Sequence, residues 1–180
     1  MSTGPGVMKK PPKTNAVRLL ETHGIPHELL SYDFESGGSI AEHAAEKLGL
    51  GSPAVFKTLV VRGDKTGAFF AVVSGHRVLD LKKLASCSGN KRVELVAVKE
   101  VEPLTGYVRG GVTAIGSKKR FPVLVDELMT RQTKISVSAG RPGLQMLLAP
   151  SDYLRLTEAT LGDISSPKLP GEMELEAESG

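Results

Sequence analysis

The chain has 180 residues, 40% hydrophobic and 24% charged, with a single cysteine and a formal net charge of +3. That length and balance describe one globular domain with a sizeable core, and they exclude a disordered chain. No apolar run is long enough to span a bilayer, the lysine-bearing start lacks the apolar segment of a signal peptide, and Cys87 has no intrachain disulfide partner, so a cytoplasmic setting is expected.

The elements follow from pattern and punctuation. Residues 1–13, rich in Gly, Pro and Lys, read as a disordered leader. A short helix is expected over 15–23, capped by Thr14 or Asn15 and stopped at Gly24, followed by a strand over 27–34. Ser39 and Glu42 form a capping box for a second helix, with Ala41, Ala44, Ala45 and Leu48 at helical spacing and Gly49 as the stop. Residues 54–62 and 68–74 read as two strands joined by the turn Asp64-Lys65-Thr66-Gly67. Asp80 caps a helix ending near Gly89, and 92–98 is expected as a strand. The glycine-rich stretch 106–116 must be a tight loop with exposed backbone. Strands over 122–125, 134–138 and 144–148 come next, the last two joined through Arg141-Pro142-Gly143, and Ser151 or Asp152 begins a final helix.

Short strands and helices without regular βαβ alternation give an α+β fold with a mixed, partly closed sheet. There is no internal repeat and no second domain: the body is placed at 14–165, and 166–180 is an acidic disordered tail. From Pro167 onward Lys168 stands against Glu172, Glu174, Glu176 and Glu178, a local charge of −3 that leaves +6 on the remainder. A modestly basic body suits a polyanionic partner such as RNA, though many unrelated proteins share it.

Several chemistries are absent. There is no HExxH, no cysteine pair and no carboxylate-rich calcium loop, so neither metal nor cofactor is expected. His23 and His27 are four apart, but Gly24 and Pro26 break the helix that would put them on one face. Gly111 to Lys118 resembles a phosphate-binding loop until Ser117-Lys118, where the order of lysine and hydroxyl is reversed. Cys87 sits near a helix C-terminus, which disfavours a thiolate.

Four places remain. Lys57 interrupts an apolar strand and shares a face with Val55 and Leu59; such a lysine either meets a ligand cavity or snorkels from an edge. Gly106, Gly110, Gly111 and Gly116 let backbone approach a ligand closely, or simply build a turn. Ser138 ends a strand before Gly140 and Gly143, where its hydroxyl could meet a ligand or close a hairpin. Tyr32 lies in an apolar strand, where a core tyrosine is the commoner explanation.

Taken in order, Lys57-Thr58, Gly106-Tyr107-x-x-Gly110-Gly111, Lys118-Lys119-Arg120 and Ser138-x-Gly140-x-x-Gly143-Leu144 resemble the YbaK family of aminoacyl-tRNA editing domains, of the bacterial Cys-tRNA(Pro) deacylase type. Lys47-Leu48-Gly49-Leu50 and Leu79-Asp80-Leu81-Lys82-Lys83 extend the likeness, which runs from about Lys13 to Ile164. The resemblance implies a barrel-like sheet flanked by short helices, and a substrate that is the acceptor end of a mischarged tRNA(Pro), with prolyl-tRNA synthetase as a further partner and no membrane. It implies that Lys57, Gly110 and Gly111 act on the ester, and that Tyr32, Ile40, Thr58, Thr113, Ala114, Gly116, Ser138, Gly140 and Gln145 line the substrate. An aminoacyl ester is already activated, so orientation and electrostatic help can replace a nucleophilic triad, and in the cysteine branch the substrate's own thiol attacks. Two positions depart from the family pattern. Ala114 stands where a proline is common, and Gln145 where aspartate is. They leave open cysteine, alanine, serine or another small amino acid as target, and a non-catalytic tRNA- or synthetase-binding module as the alternative.

Overall fold

The computed structural model describes residues 13–33 and 45–169. Its frame is a five-stranded sheet in the order β5-β2-β3-β6-β9, built from β2 (Phe56–Gly63), β3 (Gly67–Ser74), β5 (Val93–Leu95), β6 (Val123–Asp126) and β9 (Thr160–Gly162). The β2–β3 hairpin is antiparallel, and β6 joins β3 in parallel. A second sheet, β1-β8-β7, comprises β1 (Glu28–Ser31), β8 (Leu144–Leu148) and β7 (Ile135–Ser138), and β10 (Ser165–Pro167) pairs with β4 (Arg77–Leu79). A parallel bridge between Val55 and Ser136 joins the two larger sheets.

The central strands are buried on both sides, so they read as continuous apolar runs rather than an alternation. Phe56, Val60, Phe70, Val72, Val123 and Val125 look inward to the main core, while Leu59, Val61, Phe69, Ala71 and Leu124 face a second cluster around Leu79, Leu84 and Ile164. The β1-β8-β7 sheet turns Ile135, Val137, Leu144, Met146 and Leu148 to the same main core. The sheets therefore curve around one core and stay open, with edges at β1, β5 and β9: the barrel-like expectation is met as a curved mixed sheet, without a closed barrel.

Local chemistry explains the helices. Thr14 caps α1 (Asn15–Thr22) by accepting from the Val17 N–H, and its hydroxyl donates to the Ala139 carbonyl at 2.5 Å, which pins the helix to the β7–β8 turn. Asp80 accepts from the Lys82 and Lys83 N–H groups at the start of α2 (Leu81–Ser88), and Gly89, at φ 76°, ends it. The strand expected over 92–98 stops at Leu95, because Val98–Thr105 forms α3 with Pro103 inside it. The final helix, α4 (Pro150–Thr157), begins on Pro150, whose fixed φ suits a first turn, rather than on Ser151 or Asp152. Ser166 and Pro167, which the sequence assigns to the tail, belong to β10. The capping box at Ser39 and residues 1–12 of the leader lie outside the described residues.

Candidate active site

Strand alternation collects four of the expected residues, Lys57, Ser138, Gln145 and Tyr32, on one face. From the Val55–Ser136 bridge, the pleat carries Lys57 and Ser138 to the same side two residues on. Ser138 lies opposite Gln145, and Gln145 opposite Leu30, so Tyr32, two residues past Leu30, falls on that side too. The Tyr32 N–H donates to the Gly143 carbonyl at 2.9 Å. Val55, Tyr32, Leu50 and Ala45 form a small apolar cluster on this face.

Lys57 is half-buried, between that cluster and the Leu59 cluster. Its ammonium donates to the Arg77 carbonyl at 3.1 Å. Arg77 is itself fixed: its backbone pairs with Pro167, and its Nε donates to the Ser165 hydroxyl at 2.7 Å. Gly75 and His76 flank it, with the Gly75 N–H on the Val55 carbonyl at 2.7 Å and His76 Nδ1 2.6 Å from the Ser74 hydroxyl. Arg77 and His76 carry little signal in the sequence, a His-Arg pair just past a strand end.

Gln145 forms the floor. It is 5% exposed, and its carbonyl oxygen accepts from the Ser136 hydroxyl at 2.9 Å. The Tyr32 hydroxyl adjoins the Gln145 amide, and burial raises its pKa; it makes no hydrogen bond of ordinary geometry. Ser138 accepts from the Gly140 N–H at 3.2 Å, which shapes the turn and leaves the hydroxyl proton available.

The glycine loop is packed, not exposed: Gly110, Gly111, Val112 and Thr113 are buried. A Cβ on Gly111 would stand 2.7 Å from the Arg141 Cα, so only glycine lets the loop lie against the β7–β8 turn. Gly140, at φ 100°, takes the left-handed backbone that lets the same turn pass Tyr107, whose hydroxyl donates to the Ile115 carbonyl at 2.7 Å. Burial pushes the Tyr107 pKa up to about 12, so it remains a donor at neutral pH. The Gly111 N–H is used by the Val108 carbonyl, and that of Ile115 by the Thr113 hydroxyl. Among the described residues, the N–H groups of Gly110, Val112, Thr113 and Ala114 carry no intramolecular hydrogen bond.

Thr58, Ala114 and Gly116 go elsewhere. Thr58 follows Lys57 and therefore points through the sheet into the main core, where its hydroxyl adjoins that of the fully buried Tyr153 without a hydrogen bond of ordinary geometry. Ala114 and Gly116 line a separate cleft between α1 and α4. Thr113 is wholly buried, and Ile40 lies outside the described residues. Among the described residues no group of three or more His, Cys, Asp or Glu is placed to hold a metal, and no helix is long and apolar enough to cross a membrane.

The face thus gathers one lysine and several hydroxyls, with a loop that carries unpaired backbone donors packed against the β7–β8 turn. Residues 35–156 match the aminoacyl-tRNA editing domain family. A protein of Enterococcus faecalis provisionally named as a Cys-tRNA(Pro)/Cys-tRNA(Cys) deacylase, EbsC, is 44% identical over 86% of this chain and 94% of its own length. The Escherichia coli (strain K12) multifunctional Ser/Thr-tRNA deacylase ProXp-y is 28% identical over 68% of the chain and 74% of its own. A crystal structure provisionally described as a trans-editing enzyme for prolyl tRNA synthetase superposes with a TM-score of 0.74, at 28% identity, over 84% of this chain and 95% of that one. The chain belongs to the aminoacyl-tRNA editing domain family.

Proposed function

We propose that the protein is a trans-acting aminoacyl-tRNA deacylase that removes cysteine from Cys-tRNA(Pro) in the cytoplasm, with residues 14–167 as the editing body. The observation that carries this reading is the shared face of Lys57, Ser138 and Gln145, together with a buried loop in which, among the described residues, the N–H groups of Gly110, Val112, Thr113 and Ala114 carry no hydrogen bond. Lys57, held by the Arg77 carbonyl, orients the terminal ribose and its ester. The loop donors stabilise the carbonyl oxygen as it gains charge.

Two attacks balance. In hydrolysis, water adds to the ester carbonyl, the ribose oxygen leaves with a proton, and free amino acid and tRNA result. In the thiol-assisted route, the cysteine Sγ adds to its own carbonyl, the ribose oxygen leaves protonated, and a cyclic thiolactone is released. The second route asks least of a site without a protein nucleophile, and the 44% identical relative is named for cysteine. Gln145 is neutral and tied to Ser136, so it sets the floor of the pocket without supplying a carboxylate for the substrate ammonium. Choice of tRNA(Pro) falls to prolyl-tRNA synthetase acting beside the enzyme.

The test is a deacylation panel of Cys-, Ala-, Ser- and Pro-tRNA(Pro). Rapid loss of the cysteine species with Pro-tRNA(Pro) spared is expected, and capture of thiolactone would select the second route. Survival of every mischarged species, at protein levels where a known deacylase clears its substrate, would sink the reading.

A further inference from the structure

A second concavity lies across the sheet from Lys57. It is a cleft of about 580 Å³ between the end of α1, the far half of the glycine loop and the end of α4. That size falls within the roughly 300–1,000 Å³ of small-ligand sites. Val123 on its wall pairs with Phe70 and shares the inward face, whereas Lys57 looks out from the other one, so the two places are distinct. One loop borders both, since Gly111 backs the Arg141 turn while Ile115 and Gly116 wall the cleft.

The lining divides by depth. Leu19, Ile25, Ile115, Phe121 and Leu156 are apolar, and Phe121 is half-exposed, with its ring edge-to-face on Phe70 at 5.6 Å. His23, Ser117, Arg120, Arg155 and Glu158 stand around them, and the exposed Lys118 and Lys119 adjoin Arg120 in the chain. Both arginines are held loosely. Arg120 pairs with Glu158 at 2.6 Å, with side chains 72% and 73% exposed, and the 75% exposed Arg155 pairs with Asp152 at 2.9 Å. The Arg120–Glu158 pair, exposed on both sides, contributes about 0–1 kcal/mol, so a phosphate can replace Glu158; Asp152 is only 22% exposed, but the guanidinium of Arg155 keeps further N–H donors for a phosphate.

An aromatic side chain on an apolar floor, ringed by exchangeable cations, suits a splayed-out base with its backbone phosphate. A duplex would offer phosphates and 2′-hydroxyls and leave the floor unused. We infer that this cleft seats an unpaired nucleotide of a single-stranded RNA end, its base against Phe121 and its phosphate on Arg120 and Arg155. That the RNA is a tRNA rests on the deacylase reading above. Glu158 then acts as a competitor that the phosphate displaces.

Fluorescence anisotropy with uncharged tRNA(Pro), a single-stranded oligonucleotide ending in CCA and a blunt RNA duplex tests this, with thermal melts to confirm folding. The wild-type chain should prefer the first two probes. Phe121→Leu should weaken both by about tenfold, and Arg155→Gln by about threefold with a shallower salt dependence. Glu158→Gln should tighten them by about twofold, by releasing Arg120. Because Arg155 and Glu158 are exposed, these two variants remain informative if Phe121→Leu misfolds. Unchanged affinities in the folded variants, or a blunt duplex that binds as well as the single strand, would overturn the inference. If the wild type deacylates tRNA while the cleft variants bind normally, the cleft assignment falls and the deacylase reading stands. If cleft variants alter binding and no ester is cleaved, the reverse holds.

Discussion

Lys57 and Thr58 are neighbours in one strand, yet they sit in opposite worlds. Lys57 shares its face with Ser138, Gln145 and Tyr32, where polar groups meet at the junction of two sheets. Thr58 looks into the main core, where its hydroxyl adjoins that of Tyr153 without a hydrogen bond of ordinary geometry. A motif read along the chain cannot separate the two, because adjacent residues in a strand always point apart. The difference teaches that one strand can present a half-buried charge to the outer face, which the proposed function uses, while its next residue is packed into the core.

Substitutions break or sharpen that contrast. The largest effect is expected from Lys57→Ala, with deacylation falling by about 100-fold or more while the melting temperature holds, as measured by single-turnover kinetics and calorimetry. Gly111→Ala should act on both properties. Its Cβ meets Arg141 backbone, which cannot swing aside, so a loss of about 1–3 kcal/mol in a denaturant melt is expected, with the loop donors displaced and activity reduced.

Asp80→Ala should cost about 1 kcal/mol, through loss of the α2 cap. The Lys83 N–H, and then the Ser166 hydroxyl, hold the Asp80 carboxyl below its usual range. The folded state therefore prefers the charged form. The wild-type advantage over Asp80→Ala should be full above the ordinary aspartate pKa of about 3.9 and shrink as pH falls through the lower folded value, as read from melts across acid pH. Smallest of all, Thr58→Val should leave activity unchanged and shift stability by no more than about 1 kcal/mol in either direction, since it removes a buried hydroxyl without a well-formed hydrogen bond but leaves the adjoining Tyr153 hydroxyl alone in the core.

Much of this was legible in the sequence. Thr14, Asp80, Gly24 and Gly89 marked their helix ends, because caps and stops are local chemistry. The buried hairpin 56–74 stood out as two β-branched and aromatic runs. Helix α3 did not, because Val98 and Val101 suggest strand, Pro103 suggests a break, and no side chain caps its start. The short strands β4, β9 and β10 were also hidden, three residues each being too few for a period to show. In the site, the companionship of Lys57 with Ser138 and Gln145 depends on one long-range bridge, and Arg77 enters only through its backbone carbonyl, which no side-chain pattern reports. The burial of the glycine loop was likewise invisible, since it depends on Arg141, thirty residues away along the chain from Gly111.

The most direct measurement compares single-turnover deacylation of Cys-tRNA(Pro) by wild type, Lys57→Ala and Thr58→Val, each confirmed folded. Collapse of the rate in Lys57→Ala alone, with Thr58→Val matching wild type, is the predicted result. An active Lys57→Ala, or a Thr58→Val as impaired as Lys57→Ala, would contradict the assignment of chemistry to the outer face.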